Sequence, residues 1–290
     1  MKIGYYPGCS LSGGGVEFDL SIKAIAPDLD LELPEIKDWS CCGATAAHNL
    51  NHKLAVSLPA RVLALAAAQG LTEIFAPCAA CYSRLAAARI DMAKNPDFKT
   101  EIEGIIEKKV DTSVRIYNVN ELLREKCLDR IKAKAKPLKD LKVACYYGCL
   151  LVRPPDVVAY DDPEVPVAMD EVVKACGATP VDWTSRTDCC GGGFSVSKMG
   201  AVLDLSSKIL QDAMDFGANC IITGCPMCHS NLDMRQLAIN SSGKYGQFEM
   251  PILYITELVG LALGKTPKEL GMTKHFSAID KGLALAASQG

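Results

Sequence analysis

The sequence predicts an α/β protein: two tandem related α/β domains with parallel sheets, an internal duplication about a pseudo-two-fold axis. Three observations predict it. Five cysteines recur twice in the same order: Cys9, Cys41-Cys42, Cys78 and Cys81, then Cys149, Cys189-Cys190, Cys225 and Cys228. Short apolar runs alternate with longer stretches of helical periodicity, the pattern of strand–helix units around a mostly parallel sheet. The chain has 290 residues, 49% of them hydrophobic and 22% charged, which is enough for two buried cores.

Taken in order, the runs at 2–6, 73–76, 114–118, 142–147, 220–223 and 252–255 read as buried strands. Residues 53–69 and 195–215 carry helix formers at helical spacing, with Gly70 and Gly217 placed as C-terminal caps. Other landmarks share the cysteine period. Tyr5-Tyr6 and Tyr146-Tyr147 precede the single cysteines, and Asp38-Trp39 and Asp182-Trp183 precede the pairs. Tyr117 with Glu121-Leu122 matches Tyr254 with Glu257-Leu258. The repeat is roughly 140 residues long. A Lys-rich linker near 132–139 divides it into an N-terminal domain, 1–135, and a C-terminal domain, 140–264. The second copy carries an insertion from Leu150 to Glu164. Residues 265–290 have no counterpart in the first copy and form a tail, for which loose packing is the commoner outcome and docking the other.

Net charge is -3, which argues against a nucleic-acid partner. The N-terminus has no run of signal-peptide length, and the apolar stretch 56–68 is interrupted by Pro59 and Arg61. A cytoplasmic protein with no membrane partner is expected. Fourteen cysteines in a reducing compartment read as metal ligands rather than disulfides. Adjacent cysteines do not readily bond to each other, but both can bind metal. Five thiolates per set exceed the four of tetrahedral zinc, so iron and sulfide are the natural occupants. Structural zinc, using four of the five, is the alternative. Cys9, Cys78, Cys149 and Cys225 each follow a predicted strand, and parallel sheets gather ligands at that end. Each CxxC opens a helix, where backbone amides favour anionic sulfur. Gly43 and Gly191 admit close backbone approach to a bulky group.

This five-cysteine pattern resembles the cysteine-rich CCG domain. Two such domains without a ferredoxin module resemble the B-type subunit of heterodisulfide reductase, over essentially the whole chain. The resemblance implies two non-cubane [4Fe-4S] clusters, one held by Cys9, Cys41, Cys42, Cys78 and Cys81, the other by Cys149, Cys189, Cys190, Cys225 and Cys228. It implies a catalytic subunit that reduces the coenzyme M–coenzyme B heterodisulfide, CoM-S-S-CoB, in a cavity shared by both clusters. Related CCG pairs in thiol:fumarate reductase and in lactate- or glycolate-oxidising iron–sulfur subunits give the alternative, an electron-transfer role. No flavin or nucleotide fingerprint and no ferredoxin-type cysteine run is present. Electrons are therefore expected from a ferredoxin-like iron–sulfur subunit and, through it, a flavin subunit.

Other residues receive plainer expectations. Cys127, Cys145, Cys176 and Cys220 read as buried packing residues. His229, beside Cys228, is the candidate catalytic proton donor, although a hydrogen-bonding role is commoner for such a histidine. Tyr82 is its counterpart in the first copy. His48 and His52 read as helix-start or surface residues. Arg84, Arg153, Arg186 and Lys198 lie near the cysteines and are candidate anchors for an anionic substrate, each more often a surface charge.

Overall fold

The structure, a computed structural model, describes residues 1–44 and 47–277. In the first half, strand β1 (Gly4–Tyr5) leads into helices α1 (Gly8–Leu11) and α2 (Val16–Ile25), then α3 (Ala47–Leu50) and α4 (His52–Ala68). Strand β2 (Glu73–Phe75), helices α5 (Ala79–Lys94) and α6 (Pro96–Ile106), strand β3 (Arg115–Tyr117) and helix α7 (Val119–Leu122) complete it. A π-helical turn, Leu123–Cys127, passes into α8 (Leu128–Lys134), so the Lys-rich linker is partly helical.

The second half repeats this plan. Strand β4 (Lys142–Tyr146) is followed by α9 (Ala168–Ala175), β5 (Thr179–Pro180), α10 (Met199–Asp215) and β6 (Cys220–Thr223). Helices α11 (Pro226–Asp233) and α12 (Arg235–Ser241), strand β7 (Ile252–Tyr254) and helix α13 (Ile255–Ala262) follow.

Both sheets are parallel throughout, as the alternating pattern predicts. The first has the order β1-β2-β3, and the second β5-β4-β6-β7. The place of β5 is taken in the first half by parallel bridges from Lys2 to Glu32 and from Tyr5 to Glu35. The helices match as well: α4, α5 and α6 pack together, and so do α10, α11 and α12. Asn51 caps α4 by accepting from the Leu54 amide, and the helix stops where Gly70 takes φ +72. Gly217, at φ +77, ends α10 in the same way. That helix starts at Met199 rather than 195, because the preceding glycines form a short 3₁₀ turn, Gly192–Phe194.

The two halves interlock reciprocally. From the first half, α2 packs on α13, with Phe18 stacked on Tyr254 at 4.2 Å and Ser21 hydrogen-bonded to Thr256 at 2.6 Å. From the second, Tyr160 accepts from Asn120 at 3.2 Å, and a Cβ on Gly224 would meet Val119 at 2.5 Å. Each half's closing helix, α7 or α13, is thus covered by the other half.

Part of the expected tail is not loose. Leu270 is fully buried and sits where a side chain at Gly260 would stand; Met272 is buried as well. Lys265 pairs with Asp28 at 2.8 Å. Asp233 accepts from the Phe276 and Ser277 amides at 2.8 and 2.7 Å. Apolar side chains at 270 and 272 draw this segment onto the body. The remainder of the tail, 278–290, lies outside the described residues.

Two candidate cysteine centres

Each cysteine set is assembled from the same three structural pieces. The single cysteine, Cys9 or Cys149, follows the first strand of its half. The pair sits on a loop that turns at glycine, with Gly43 at φ +75 and Gly191 at φ +79. Each of these glycine amides points at the sulfur of the first paired cysteine, 3.4 Å to Cys41 Sγ and 3.3 Å to Cys189 Sγ. The CxxC opens a helix in both copies: Cys78 caps α5, which contains Cys81, and Cys225 caps α11, which contains Cys228.

The sulfurs converge. Cys42 and Cys81 Sγ lie 3.3 Å apart, and Cys190 and Cys228 Sγ 3.6 Å. Cys9 is close enough to Cys41, Cys42 and Cys78 for their charges to raise its pKa, after burial, which raises it most. Burial, then Cys189, Cys225 and Cys190, pushes Cys149 up to about 11. A hydrogen bond from Cys81 brings Cys78 down to about 6, against its burial. A hydrogen bond from Cys228, with burial opposing, brings Cys190 down to about 7. Cys42 is lowered in the same way by Cys81. Crowded sulfurs that raise one another's pKa, with some already favoured as thiolate, call for a cation among them. In each set the buried members are the second paired cysteine and the CxxC, while Cys9, Cys41 and Cys189 are exposed. Each centre therefore opens outward at its single cysteine or first paired cysteine.

Two residues that the cysteine pattern alone does not single out hold this arrangement. Tyr6 and Tyr146, each three residues before a single cysteine, are fully buried. The Tyr6 hydroxyl donates to the Ser40 carbonyl at 2.8 Å, and the Tyr146 hydroxyl to the Asp188 carbonyl at 2.7 Å. Ser40 and Asp188 directly precede the two pairs, so each tyrosine fixes a cysteine loop. Trp39 and Trp183 pack on these rings at 5.5 and 6.1 Å. The signal was present in the sequence, since both the tyrosines and the tryptophans follow the repeat. Asn231 was not foreseeable in this way, because its counterpart is Arg84. It is fully buried and donates to the Cys190 carbonyl at 3.1 Å.

Glycine is required directly before the single cysteines. Gly8 and Gly148 have φ +60 and +62, and a Cβ on them would stand 2.9 Å from Cys81 Sγ and 3.0 Å from Cys228 Sγ.

The donor sets fit a cluster better than a single ion. A lone zinc draws its donor atoms into a shell about 2.3 Å in radius for sulfur. Among the described residues, the one group of three potential ligands whose donor atoms all lie within 4.8 Å of one another contains no cysteine. Five sulfurs spread more widely than that suit a polynuclear group.

The remaining residues separate cleanly. Cys127, Cys145, Cys176 and Cys220 are buried, and burial raises the pKa of each, to about 12 for Cys127 and Cys176. Arg186 is a correction to the surface-charge expectation. It is buried, paired with Asp182 at 2.6 Å and bonded to the Trp183 and Pro166 carbonyls, so its charge is used internally. Arg153 binds Glu164 and Thr187, and Lys198 lies over the Phe194 ring. His48 and His52 are exposed at helix starts. The surroundings of His229 give proton donation no support. Its ring is buried against Tyr254 at 4.1 Å, its Nε2 meets the Ile252 carbonyl at 3.2 Å, and burial, then His275, drives its pKa down.

The cysteine-rich CCG domain matches this chain twice, at residues 3–86 and 143–233. The chain belongs to the CCG family. The CCG family membership expected from the cysteine spacing is thus borne out, and so is the similarity to the B-type subunit of heterodisulfide reductase. The chain is 33% identical to the 8-methylmenaquinol:fumarate reductase membrane anchor subunit of Wolinella succinogenes, over 94% of this chain and 96% of that one. It is 31% identical to the B-type subunit of the ferredoxin/F420H2-dependent CoB-CoM heterodisulfide reductase of Methanosarcina acetivorans, over 94% and 93%. A hypothetical protein from Helicobacter pylori has a similar fold, with a TM-score of 0.77 at 14% identity over 95% of this chain. This CCG chain spans about half the length of that protein, 52%. The curated relatives are named as reductase subunits, which supports an iron–sulfur oxidoreductase role within a larger assembly. Among the described residues, no helix is long and apolar enough to cross a membrane.

Proposed function

We propose that this CCG protein is the disulfide-reducing subunit of a multi-subunit reductase, with CoM-S-S-CoB as substrate. Cys9, Cys41, Cys42, Cys78 and Cys81 would hold one non-cubane [4Fe-4S] cluster, and Cys149, Cys189, Cys190, Cys225 and Cys228 the other. When bound, each cluster supplies electrons one at a time, whereas cleaving a disulfide consumes two. The observation that carries the reading is the pair of matching centres in one chain, each with sulfur exposed. The chain's own residues hold the cysteines in place: Tyr6 and Tyr146 pin the paired-cysteine loops, and Gly8 and Gly148 leave room for Cys81 and Cys228. Electrons would arrive from a ferredoxin-like iron–sulfur subunit and, through it, a flavin subunit. The domain limits 1–135 and 140–264 are part of this reading, each enclosing one centre.

Iron and acid-labile sulfide analysis with EPR tests the reading. We expect iron and sulfide in both centres and a signal that changes when the heterodisulfide is added to the oxidised protein. Zinc in place of iron, or a signal indifferent to the disulfide, would overturn it. The Wolinella relative favours a second reading, electron transfer between a methylated menaquinol and a fumarate reductase. A signal that responds to a menaquinol analogue and not to the disulfide would select it.

A smaller prediction concerns packing at the second centre. In Gly148→Ala, the new Cβ would crowd Cys228 Sγ at 3.0 Å, and the backbone there has φ +62. The left-handed conformation alone costs about 1 kcal/mol for alanine. Iron analysis should show loss from the second centre with the first retained. Full iron content would show that Cys228 can shift without releasing its partner.

A further inference from the structure

Outside the cysteine centres, His229, Glu257 and His275 place one donor atom each within 4.8 Å of one another. The side chains of Glu257 and His275 have no exposed surface, and His229 is 3% exposed. His275 Nε2 meets Glu257 Oε1 at 2.9 Å, while its buried Nδ1 has no hydrogen-bond partner. His229 Nε2 faces the Ile252 carbonyl, the orientation in which that nitrogen donates and the other ring nitrogen is left as a lone-pair donor.

The surrounding charge is lopsided. Three carboxylates are buried here: Glu257 at 0%, Asp233 at 2% and Glu17 at 8% exposure. Their partners are backbone amides, the Tyr254 hydroxyl and His275. Among the described residues, no Lys or Arg bonds to any of them. Buried carboxylates of this number are costly unless a cation compensates them.

The geometry points to a zinc site formed by one nitrogen each of His229 and His275 and a carboxylate oxygen of Glu257. Two imidazoles and one carboxylate are a known ligand set for zinc, with a fourth position left for water or a further carboxylate. Glu17 of the first half is linked to this group through Tyr254, whose hydroxyl it binds at 3.3 Å and whose ring stacks on His229. Such an ion would tie the segment ending at Ser277 to helix α11, which carries Cys228.

Zinc analysis with X-ray absorption at the zinc edge, on the full chain with its iron intact, tests this independently of disulfide reduction. We expect one zinc per chain with nitrogen and oxygen neighbours at about 2.0–2.1 Å. His275→Ala should lose that zinc while keeping its iron and sulfide. Absence of zinc, even after incubation with zinc salt, would overturn the site. A shell of sulfur at about 2.3 Å would also overturn it, since it would place zinc among the cysteines. If His275→Ala fails to fold, the wild-type spectrum still decides between these outcomes.

Discussion

Replacing Cys189 and Cys190 together by alanine is expected to abolish disulfide reduction rather than halve it. The two residues supply the exposed and the buried sulfur of one loop, and Cys190 lies 3.6 Å from Cys228 Sγ, so the second centre loses its middle. The first centre shares no sulfur with it and should keep its iron. If each centre worked alone, half the turnover would survive. Cleaving a disulfide takes two electrons, however, and a single one-electron centre would leave a sulfur radical. Residues that act as one unit lose activity together, so a fall of more than about a hundredfold is expected. The assay is turnover in the assembled complex, with folding checked by circular dichroism and first-centre iron by EPR. Turnover near half of wild type would show that one centre suffices.

The largest structural effect is expected at Tyr254. This residue ends β7, is 1% exposed, and is sandwiched between Phe18 of the first half and His229 of the second, at 4.2 and 4.1 Å. Its backbone amide also donates to Glu257 at 2.8 Å, capping α13. Tyr254→Ala removes the middle of the stack and leaves a cavity between the halves, a cost of about 3–5 kcal/mol. A thermal midpoint lower by roughly 10 °C is the expected readout. Tyr254→Phe keeps the stack and loses only the hydroxyl contact to Glu17 at 3.3 Å, about 1 kcal/mol. Equal midpoints for the two variants would show that the stack contributes little.

Much of the fold was legible because buried parallel strands are short, apolar and bounded by turns. Six runs became strands to within two residues at either end, and β6 matched at both ends. Strand β5 was not legible: it is two residues long, one of them Pro180. The cysteine sets were legible because their order repeats, and the loop-pinning tyrosines could have been found from the same repeat. Asn231 and the His229–Glu257–His275 group could not. They depend on contacts between residues far apart in sequence, and no periodicity reports those. The docking of residues 265–277 was missed for a related reason. The buried Leu270 and Met272 stand among polar residues, so no amphipathic pattern marks them.

The reciprocal covering of α7 and α13 has the form of an isologous dimer interface, in which each partner offers the other the same patch. Here the two partners are joined by the segment around 132–139 in a single chain. A symmetric dimer must carry any change on both copies, whereas a fused pair can alter one side alone. Tyr160, in the insertion of the second half, covers the first half without a counterpart there, and the Gly191-Gly192-Gly193 loop has only Gly43 opposite it. Residues 265–277 likewise have no counterpart in the first copy. Fusion therefore frees the two cysteine centres to take unequal surroundings while both keep the same cysteine framework.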